Sequence, residues 1–251
     1  MMKLESKSVY GPVWSRRFGW DLGVNLLPVN RKLCTFDCVY CQYGFTPALS
    51  NQTDGFPQAA QIIKEWEQRL AYAAALRISI YHTTVSGNGE PTMHPQFGKI
   101  IPDLVGWRDE NAPQIKLAIL SNGYRLHDPA IREAMHYFDE PIIKLDSAIP
   151  GKFQEINRPL GPFSMTQFLE DLKHCPRLIL QTMFIKGWND RQEDLQAWRR
   201  ALSEIRPLAV QIYTVTRDTA LPNLHPLAER DLFQIAEETA KLVGVPVHAF
   251  V

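Results

Sequence analysis

The stretch RISIYHTTVSGNGEPT, residues 77–92, joins a short apolar, β-branched run to a polar, glycine-rich turn. Its first nine residues predict a buried strand of a parallel sheet, because such strands are covered on both faces and read as near-continuous hydrophobic runs. The same order of apolar run and polar turn recurs along the chain. The predicted strands are GVNLLPV (23–29), RISIYHTTV (77–85), IKLAIL (115–120), PIIKLDS (141–147), RLILQTMFI (177–185) and AVQIYTV (209–215).

Amphipathic helices are predicted between these strands, and PVHAF near the C-terminus predicts a short last strand. Asp128-Pro129 indicates a helix cap followed by a first-turn proline. Alternating strands and helices predict an α/β fold with a parallel sheet, which either stays open or curls into a full or partial barrel. Three helices place their apolar residues at helical spacing, namely Phe97, Ile100, Ile101 and Leu104; Leu195, Trp198, Leu202 and Ile205; and Leu232, Ile235, Thr239 and Leu242.

Polar residues and glycines follow nearly every predicted strand. In parallel α/β folds, ligands bind beyond the carboxyl ends of the strands. We therefore expect these polar turns to converge on one mouth. They are the cysteine-containing loop after the first strand, SGNGEPT (86–92), SNG (121–123), DS (146–147), QTM (181–183) and TVTR (214–217).

Composition excludes several classes of protein. The 251 residues suit one domain, with 45% apolar residues and a formal net charge of zero. A chain with zero net charge lacks the basic excess that dedicated nucleic-acid binders show, although this total does not exclude a local basic patch. The N-terminus has no apolar signal region, and no run approaches the ~18 apolar residues of a membrane span, so we expect a cytoplasmic protein without membrane partners.

The loop CTFDCVYC, residues 34–41, holds three of the four cysteines. Clustered thiolates select zinc, copper(I) or an iron–sulfur cluster. A structural zinc site requires four ligands, and Cys175 or His82 are the candidates for the fourth. On a four-iron cluster, three thiolates would instead leave one iron open to a substrate or cosubstrate. Cys175 precedes the fifth predicted strand, so we expect it at the opposite end of the barrel, as a small buried hydrophobe.

CTFDCVYC resembles the C-x3-C-x-aromatic-C signature of the radical S-adenosylmethionine (SAM) superfamily, with Tyr40 as the aromatic residue. GNGEPT resembles the GGE-type motif of that superfamily, although Asn88 interrupts the glycines. The string GPVWSRRFGWDLGVNLLPVNRKLCTFDCVYCQYG and the motif INRPL (156–160) resemble a short branch related to wyosine-base synthases. The resemblance covers roughly residues 10 to 250.

The resemblance implies a partial (βα)6 TIM-type barrel with parallel strands and outer helices. It implies one radical SAM domain over residues 1–251, with a core of about 20–250 and an N-terminal extension, 1–20. Cys34, Cys38 and Cys41 would ligate a [4Fe-4S] cluster whose fourth iron binds SAM. An electron from a flavodoxin or ferredoxin would cleave SAM, and the resulting 5′-deoxyadenosyl radical would take hydrogen from the substrate. The protein would orient these cofactors.

The resemblance also implies a set of SAM contacts. Residues 87–90 would meet the methionine end of SAM, where glycines permit close backbone approach. Tyr40 would lie against the adenine, and Arg158 would pair with the SAM carboxylate. The strand-end polar residues would bind the ribose hydroxyls or the carboxylate, with helix capping or a local turn as the alternative. The expected contacts are Tyr40, Gly87, Asn88, Gly89, Glu90, Ser121, Asn122, Asp146 and Arg158.

The substrate stays open among several classes. An RNA base or a small molecule agrees with the branch resemblance, and chain length also suits a glycyl-radical-enzyme activase that acts on a partner protein. An alternative of another kind is a zinc-binding module without catalysis. The segment WSRRFGW (14–20) either forms a substrate-facing flap that stacks bases and binds phosphate or packs as a pre-barrel segment that closes the bottom or side.

Overall fold

A computed structural model describes residues 1–47 and 54–251 of the chain. Its centre is one eight-stranded sheet with its strands in chain order, β1 to β8. Strand β1 is antiparallel to β2, and every later neighbour is parallel. The strands are β1 Val9–Ser15, β2 Gly19–Val24, β3 His82–Val85, β4 Lys116–Ser121, β5 Glu140–Lys144, β6 Ile179–Phe184, β7 Ala209–Thr214 and β8 Val247–Phe250.

Helices connect the parallel strands and cover one face of the sheet. They are α1 Ala59–Ala75, α2 Phe97–Asn111, α3 Pro129–Met135, α4 Pro150–Asn157, α5 Met165–Lys173, α6 Gln192–Ile205 and α7 Glu229–Val243, with a 3-10 turn at Pro91–Met93. The sheet curls into a partial barrel, which confirms the predicted fold class. Within the described residues, none of these helices has both the length and the apolar character needed to cross a bilayer.

The predicted helical faces are buried with one exception. Phe97, Ile101 and Leu104 of α2 and Trp198 of α6 belong to the core between the helices and the sheet. The prediction that Leu242 of α7 lies in the core is wrong. Its side chain is 70% exposed, beyond the last buried turn of that helix. Asp128 caps α3 as predicted, since its carboxylate accepts a 2.9 Å hydrogen bond from the amide of Ala130.

The first two strands differ most from the prediction. Strand β2 ends at Val24, whereas the predicted strand ran from residue 23 to 29. Asn25 ends the strand because its side chain bonds the amide and the carbonyl of Leu27 at 3.3 and 2.8 Å. Strand β1 was not predicted. It forms a hairpin with β2 and extends the sheet on the side of the first parallel strand.

The concave face of the sheet is polar. Successive residues of a strand point to opposite faces, and the helix-facing positions of β2 and β7, such as Leu22 and Ile212, lie in the apolar core. The alternate positions carry polar side chains that bond to each other across neighbouring strands. Thr84 donates to Asp21 at 2.6 Å, and Gln181 donates to Gln211 at 3.0 Å. This face therefore offers hydrogen-bonding groups to a ligand.

Candidate functional site

The cysteine loop begins beside the glycine-rich turn that follows β3. The amide of Leu33 donates to the carbonyl of Asn88 at 2.9 Å, and the amide of Glu90 donates to the carbonyl of Leu33 at 2.9 Å. These bonds form an isolated parallel bridge between Leu33 and Gly89. The residue directly before the first cysteine is thus fixed to the GNGEPT segment at the carboxyl end of the barrel strands.

The other edge of the cysteine loop lies against the INRPL segment at the end of α4. The amide of Asp37 donates to the carbonyl of Asn157 at 3.1 Å, and the amide of Val39 donates to Ile156 at 2.9 Å. Phe36 and Pro159 form an antiparallel bridge in the same place. The loop is therefore held by backbone hydrogen bonds on two sides.

Two glycines of GNGEPT allow the close approach of these segments. Gly89 has φ +139°, and a Cβ atom there would lie 1.7 Å from the carbonyl oxygen of Leu33. Gly87 has φ +146°, and its Cβ would lie 2.6 Å from the side-chain oxygen of Asn25. Side-chain-bearing residues rarely adopt this backbone conformation. The local chain path thus requires glycine at both positions.

The three loop thiols are unpaired with one another and partly exposed. Side-chain amides point at two of them, since the Nδ2 atoms of Asn122 and Asn157 lie 3.7 and 3.5 Å from the sulfurs of Cys34 and Cys38. Burial, with the Asp146 charge second, raises the pKa of Cys38 to about 12, and burial raises the pKa of Cys34 still further above its ordinary value. Within the described residues, no three His, Cys, Asp or Glu side chains are grouped to hold a single metal ion.

Glu90 joins the ends of β3 and β4. Its carboxylate accepts 2.7 Å hydrogen bonds from the hydroxyl of Ser121 and from the amide of Asn122. It also accepts bonds from the amide and hydroxyl of Thr92 at 3.1 and 2.7 Å. Burial raises the pKa of Glu90, and these hydrogen bonds oppose that rise. Both carboxylate oxygens are thus occupied within the protein, and the Ser121 hydroxyl is directed at Glu90.

Asp146, at the carboxyl end of β5, anchors a second buried cluster. Its carboxylate accepts hydrogen bonds from the hydroxyl of Tyr40 and from Asn157 Nδ2, the latter at 2.7 Å. Its other oxygen lies 2.9 Å from the ammonium of Lys144 and accepts from the amide of Met183 at 2.7 Å. The aromatic residue of the cysteine motif is therefore tied through Asp146 to the concave face of the sheet.

Lys144 is the basic member of this cluster. Its ammonium donates to the hydroxyl of Tyr213 at 2.8 Å and lies 5.0 Å from the centre of the Tyr40 ring. Burial by itself lowers the pKa of Lys144, but the charges of Asp146 and Tyr213 and their hydrogen bonds outweigh it, so the pKa lies above its ordinary value. Lys144 is therefore held as an ammonium.

Two further residues of the expected SAM set, Asn88 and Arg158, also contact other parts of the protein. Asn88 is fully buried, and its side chain bonds the backbone of Glu5 at 2.7 and 3.0 Å and the carbonyl of Pro28 at 3.0 Å. It thus fixes the N-terminal segment beneath the glycine-rich turn. Arg158 ends α4 in a left-handed conformation, and its guanidinium lies 5.5 Å from the centre of the Phe45 ring.

Several residues with reactive side chains lie away from the mouth. Cys175 is buried in the core after α5, as expected, and burial raises the pKa of its thiol to about 12. His94 is buried, with one ring nitrogen 3.0 Å from the carbonyl of Pro57 and the other accepting from the amide of Gln96 at 3.1 Å. His82, at the start of β3, lies 3.6 Å from Glu140.

The segment WSRRFGW forms the turn of the β1–β2 hairpin. Its two tryptophans contact each other edge to face, with ring centres 5.4 Å apart, and Trp14 is 65% exposed. The ring of Phe18 stacks on His82, and Arg17 lies 6.0 Å from the ring centre of Tyr213. This turn therefore contacts both β3 and β7.

Three residues of this region were not expected from the sequence. Asn157 bonds the loop backbone, the sulfur of Cys38 and Asp146. Asn25 supports the glycine-rich turn through a 3.1 Å hydrogen bond from the amide of Asn88. Lys144 was read as part of an apolar strand. The motif INRPL was the available signal for Asn157, since a buried asparagine at the end of a helix requires polar partners.

Comparisons with known proteins agree with this architecture. A family model described as the radical SAM superfamily matches residues 32–199, which is more than half of the chain. The UPF0026 protein slr1464 of Synechocystis sp. is 32% identical over 220 residues, which cover 85% of this chain and 77% of that protein.

Two solved structures are similar in fold. A radical SAM methyltransferase from Sphaerobacter thermophilus gives a TM-score of 0.70 at 13% identity, covering 91% of this chain and 65% of that chain. A structure of TYW1 with a lysine-pyruvate adduct bound gives a TM-score of 0.63 at 15% identity, covering 88% of this chain and 73% of that chain. At these identities the structures show a shared partial barrel.

Proposed function

Because this chain belongs to the radical SAM superfamily, whose enzymes use a [4Fe-4S] cluster and SAM, we propose that Cys34, Cys38 and Cys41 ligate that cluster. Family membership confirms the prediction of an enzyme over that of a zinc-binding module. The observation that carries the proposal is the anchoring of the cysteine loop on both edges at the carboxyl ends of the strands.

The donor set fits such a cluster. Three thiols from one eight-residue loop offer three soft ligands, and no disulfide consumes them. The amides of Asn122 and Asn157 are placed to donate hydrogen bonds to sulfur, an arrangement that orients ligands and tunes the reduction potential of iron–sulfur sites. Cys175 lies in the core and is no part of this set.

When bound, the cluster and SAM supply a 5′-deoxyadenosyl radical that removes a hydrogen atom from the substrate. The chain contributes orientation and exclusion of water. Gly87 and Gly89 let the glycine-rich turn pack directly against Asn25 and Leu33, which holds the cysteine loop at the mouth. The buried bonds of Glu90 and Asp146 fix the ends of β3, β4 and β5 around that position.

Most of the expected SAM contacts already bond within the protein. The Asn122 side chain bonds Thr35 and the amide of Tyr124, and the backbone of residues 88–90 bonds Leu33 and Asn25. Arg158, whose guanidinium lies beside the Phe45 ring, keeps its donors for a ligand. Asn88, Glu90, Ser121 and Asp146 use their side chains inside the protein, so we propose that they position the site. Tyr40 would present its ring to the adenine while Asp146 holds its hydroxyl.

The substrate would bind on the polar concave face below the mouth. An RNA base or a small molecule suits this face, because its lining offers hydrogen-bonding groups and a cation. We propose that a flavodoxin or ferredoxin in the cytoplasm supplies the electron.

The test is anaerobic incubation of reconstituted protein with dithionite and SAM. We expect 5′-deoxyadenosine and methionine in the wild-type protein and neither in Cys38→Ala. Deuterated candidate substrates then identify the substrate by transfer of label into 5′-deoxyadenosine. SAM that stays intact with a fully loaded wild-type protein would overturn the proposal.

A further inference from the structure

The turn of the β1–β2 hairpin forms a wall beside the polar concave face of the sheet. Phe18 stacks on His82 of β3 with ring centres 4.5 Å apart, and Arg17 reaches Tyr213 of β7. The neighbouring Arg16 donates a 3.4 Å hydrogen bond to the hydroxyl of Thr216, just beyond β7. The turn thus spans the polar face between an early and a late strand of the open barrel.

Arg17 is a partly exposed cation within this turn. Among residues 1–47 and 54–251, its guanidinium has no hydrogen-bond or ion-pair partner, and its Nε atom is buried. Its recorded neighbour is the ring of Tyr213, 6.0 Å away. Burial lowers the pKa of Arg17, as expected for a cation removed from water. A guanidinium with a buried, unbonded Nε and no counter-charge in contact loses hydration without a replacement, and an anionic ligand would supply the missing partner.

Charged groups of both signs surround Arg17. After burial, Tyr213 raises the pKa of Arg17, Arg16 lowers it, Asp21 raises it from beyond ion-pair contact, and Arg217 lowers it. Lys144 shares Tyr213 as a neighbour, and two of its three ammonium protons point to Tyr213 and Asp146. One proton of Lys144 is thus left for a ligand on the same face.

We propose that this wall binds an oxyanion of the substrate, a carboxylate or a phosphate, with Arg17 as its main partner. The inference rests on the proposed function, because it places the substrate on the concave face. A guanidinium presents parallel N–H donors that match two oxygens of either anion. The substrate class is therefore an anionic molecule, which narrows the choice between a neutral base and a charged small molecule or nucleotide.

The test uses reconstituted holoenzyme under anaerobic conditions. Inorganic phosphate or acetate replaces chloride at constant ionic strength, and the midpoint of thermal unfolding is followed against anion concentration. A ligand that binds only the folded protein raises this midpoint in a saturable way. We expect saturation with one of the two anions, and an apparent affinity at least tenfold weaker in Arg17→Gln. Arg200→Gln, on the exposed surface of α6, is the matched control and should keep the wild-type affinity.

Each outcome decides the proposal. Saturation with phosphate assigns a phosphate-bearing substrate, and saturation with acetate assigns a carboxylate. The absence of a saturable shift in the wild-type protein would overturn the proposal, and so would equal losses of affinity in Arg200→Gln and Arg17→Gln. If Arg17→Gln does not fold, Arg17→Lys replaces it. This variant should bind at least fivefold more weakly than wild type, because an ammonium lacks the two parallel donors, and unchanged affinity would overturn the assignment.

Failure here is distinguishable from failure of the proposed function. Iron uptake and SAM cleavage by the wild-type protein test the cluster without any anion. A protein that cleaves SAM but shows no saturable anion effect refutes the anion site alone. A protein that takes up no iron refutes the proposed function.

Discussion

The carbonyl oxygen of Leu33 occupies the space that a side chain on Gly89 would need. A Cβ at position 89 would lie only 1.7 Å from this oxygen. Leu33 in turn precedes the first cysteine of the loop. The glycine at the end of one strand thus fixes the position of the cysteine loop at the end of the neighbouring strand.

We predict that Gly89→Ala disrupts the cysteine loop. The positive φ and the clash with backbone together should reduce the free energy of unfolding by about 3 kcal/mol or more. Urea unfolding measures this loss, and iron content after reconstitution should fall with it. Gly106→Ala is the control, because Gly106 lies in α2 with no atom within 4 Å of a new Cβ. It should gain up to about 1 kcal/mol. Equal iron content and stability in Gly89→Ala and wild type would contradict the account.

We predict that Asn157→Ala lowers the reduction potential of the bound cluster. The amide of Asn157 points at the sulfur of Cys38 from 3.5 Å, and a donor to a ligating sulfur stabilises the more negative, reduced state. A redox titration followed by electron paramagnetic resonance measures the midpoint. Asn111→Ala is the control, since Asn111 bonds only the carbonyl of Trp107 on the exposed surface of α2. A potential that stays the same or rises in Asn157→Ala would show that this amide does not act on the cluster.

We predict that Asp21→Asn stabilises the protein above pH 6. Burial raises the pKa of Asp21 from 3.8 to about 6, and its Oδ1 atom has no partner among the described residues. The pKa is raised in the folded state, so the protonated form of Asp21 favours folding. This contribution to the free energy of unfolding is complete below about pH 4 and is lost as the pH rises through about 6. The amide avoids that loss, so the variant should gain about 2 to 3 kcal/mol at pH 7.5.

Urea unfolding at pH 4 and at pH 7.5 measures the effect of Asp21→Asn. The variant should gain stability only at the higher pH. Asp103→Asn, on the exposed side of α2, serves as the control and should change little at either pH. A gain of equal size at both pH values would indicate a cause other than ionisation of Asp21.

Much of the barrel follows from hydrophobic pattern alone. The apolar runs around residues 117–120, 142–145 and 179–185 are buried strands because parallel strands covered by helices require such runs. The hairpin strand β1 was missed, since VYGPVWS contains a glycine and a proline and pairs on one side only. It pairs with β2, the next strand of the chain, through a short hairpin turn.

The sequence predicts where the site lies better than it predicts which partners its side chains have. Strand-end polarity places Glu90, Ser121 and Asp146 at one mouth, and the structure brings them together there. It also shows their side chains bonded inward, which no spacing rule reveals, because the direction of a side chain depends on its partners across the barrel. The roles of Lys144 and Arg17 depend on their contacts with Tyr213, a residue far from both in the sequence.

The central claim is that Cys34, Cys38 and Cys41, without Cys175, hold a four-iron cluster. The direct measurement is metal content after anaerobic reconstitution of the wild-type protein, the triple alanine variant at 34, 38 and 41, and Cys175→Ala. We predict about four irons per chain in wild type and in Cys175→Ala, and none in the triple variant. A colourless wild-type protein with one zinc per chain, or loss of iron in Cys175→Ala, would contradict the claim.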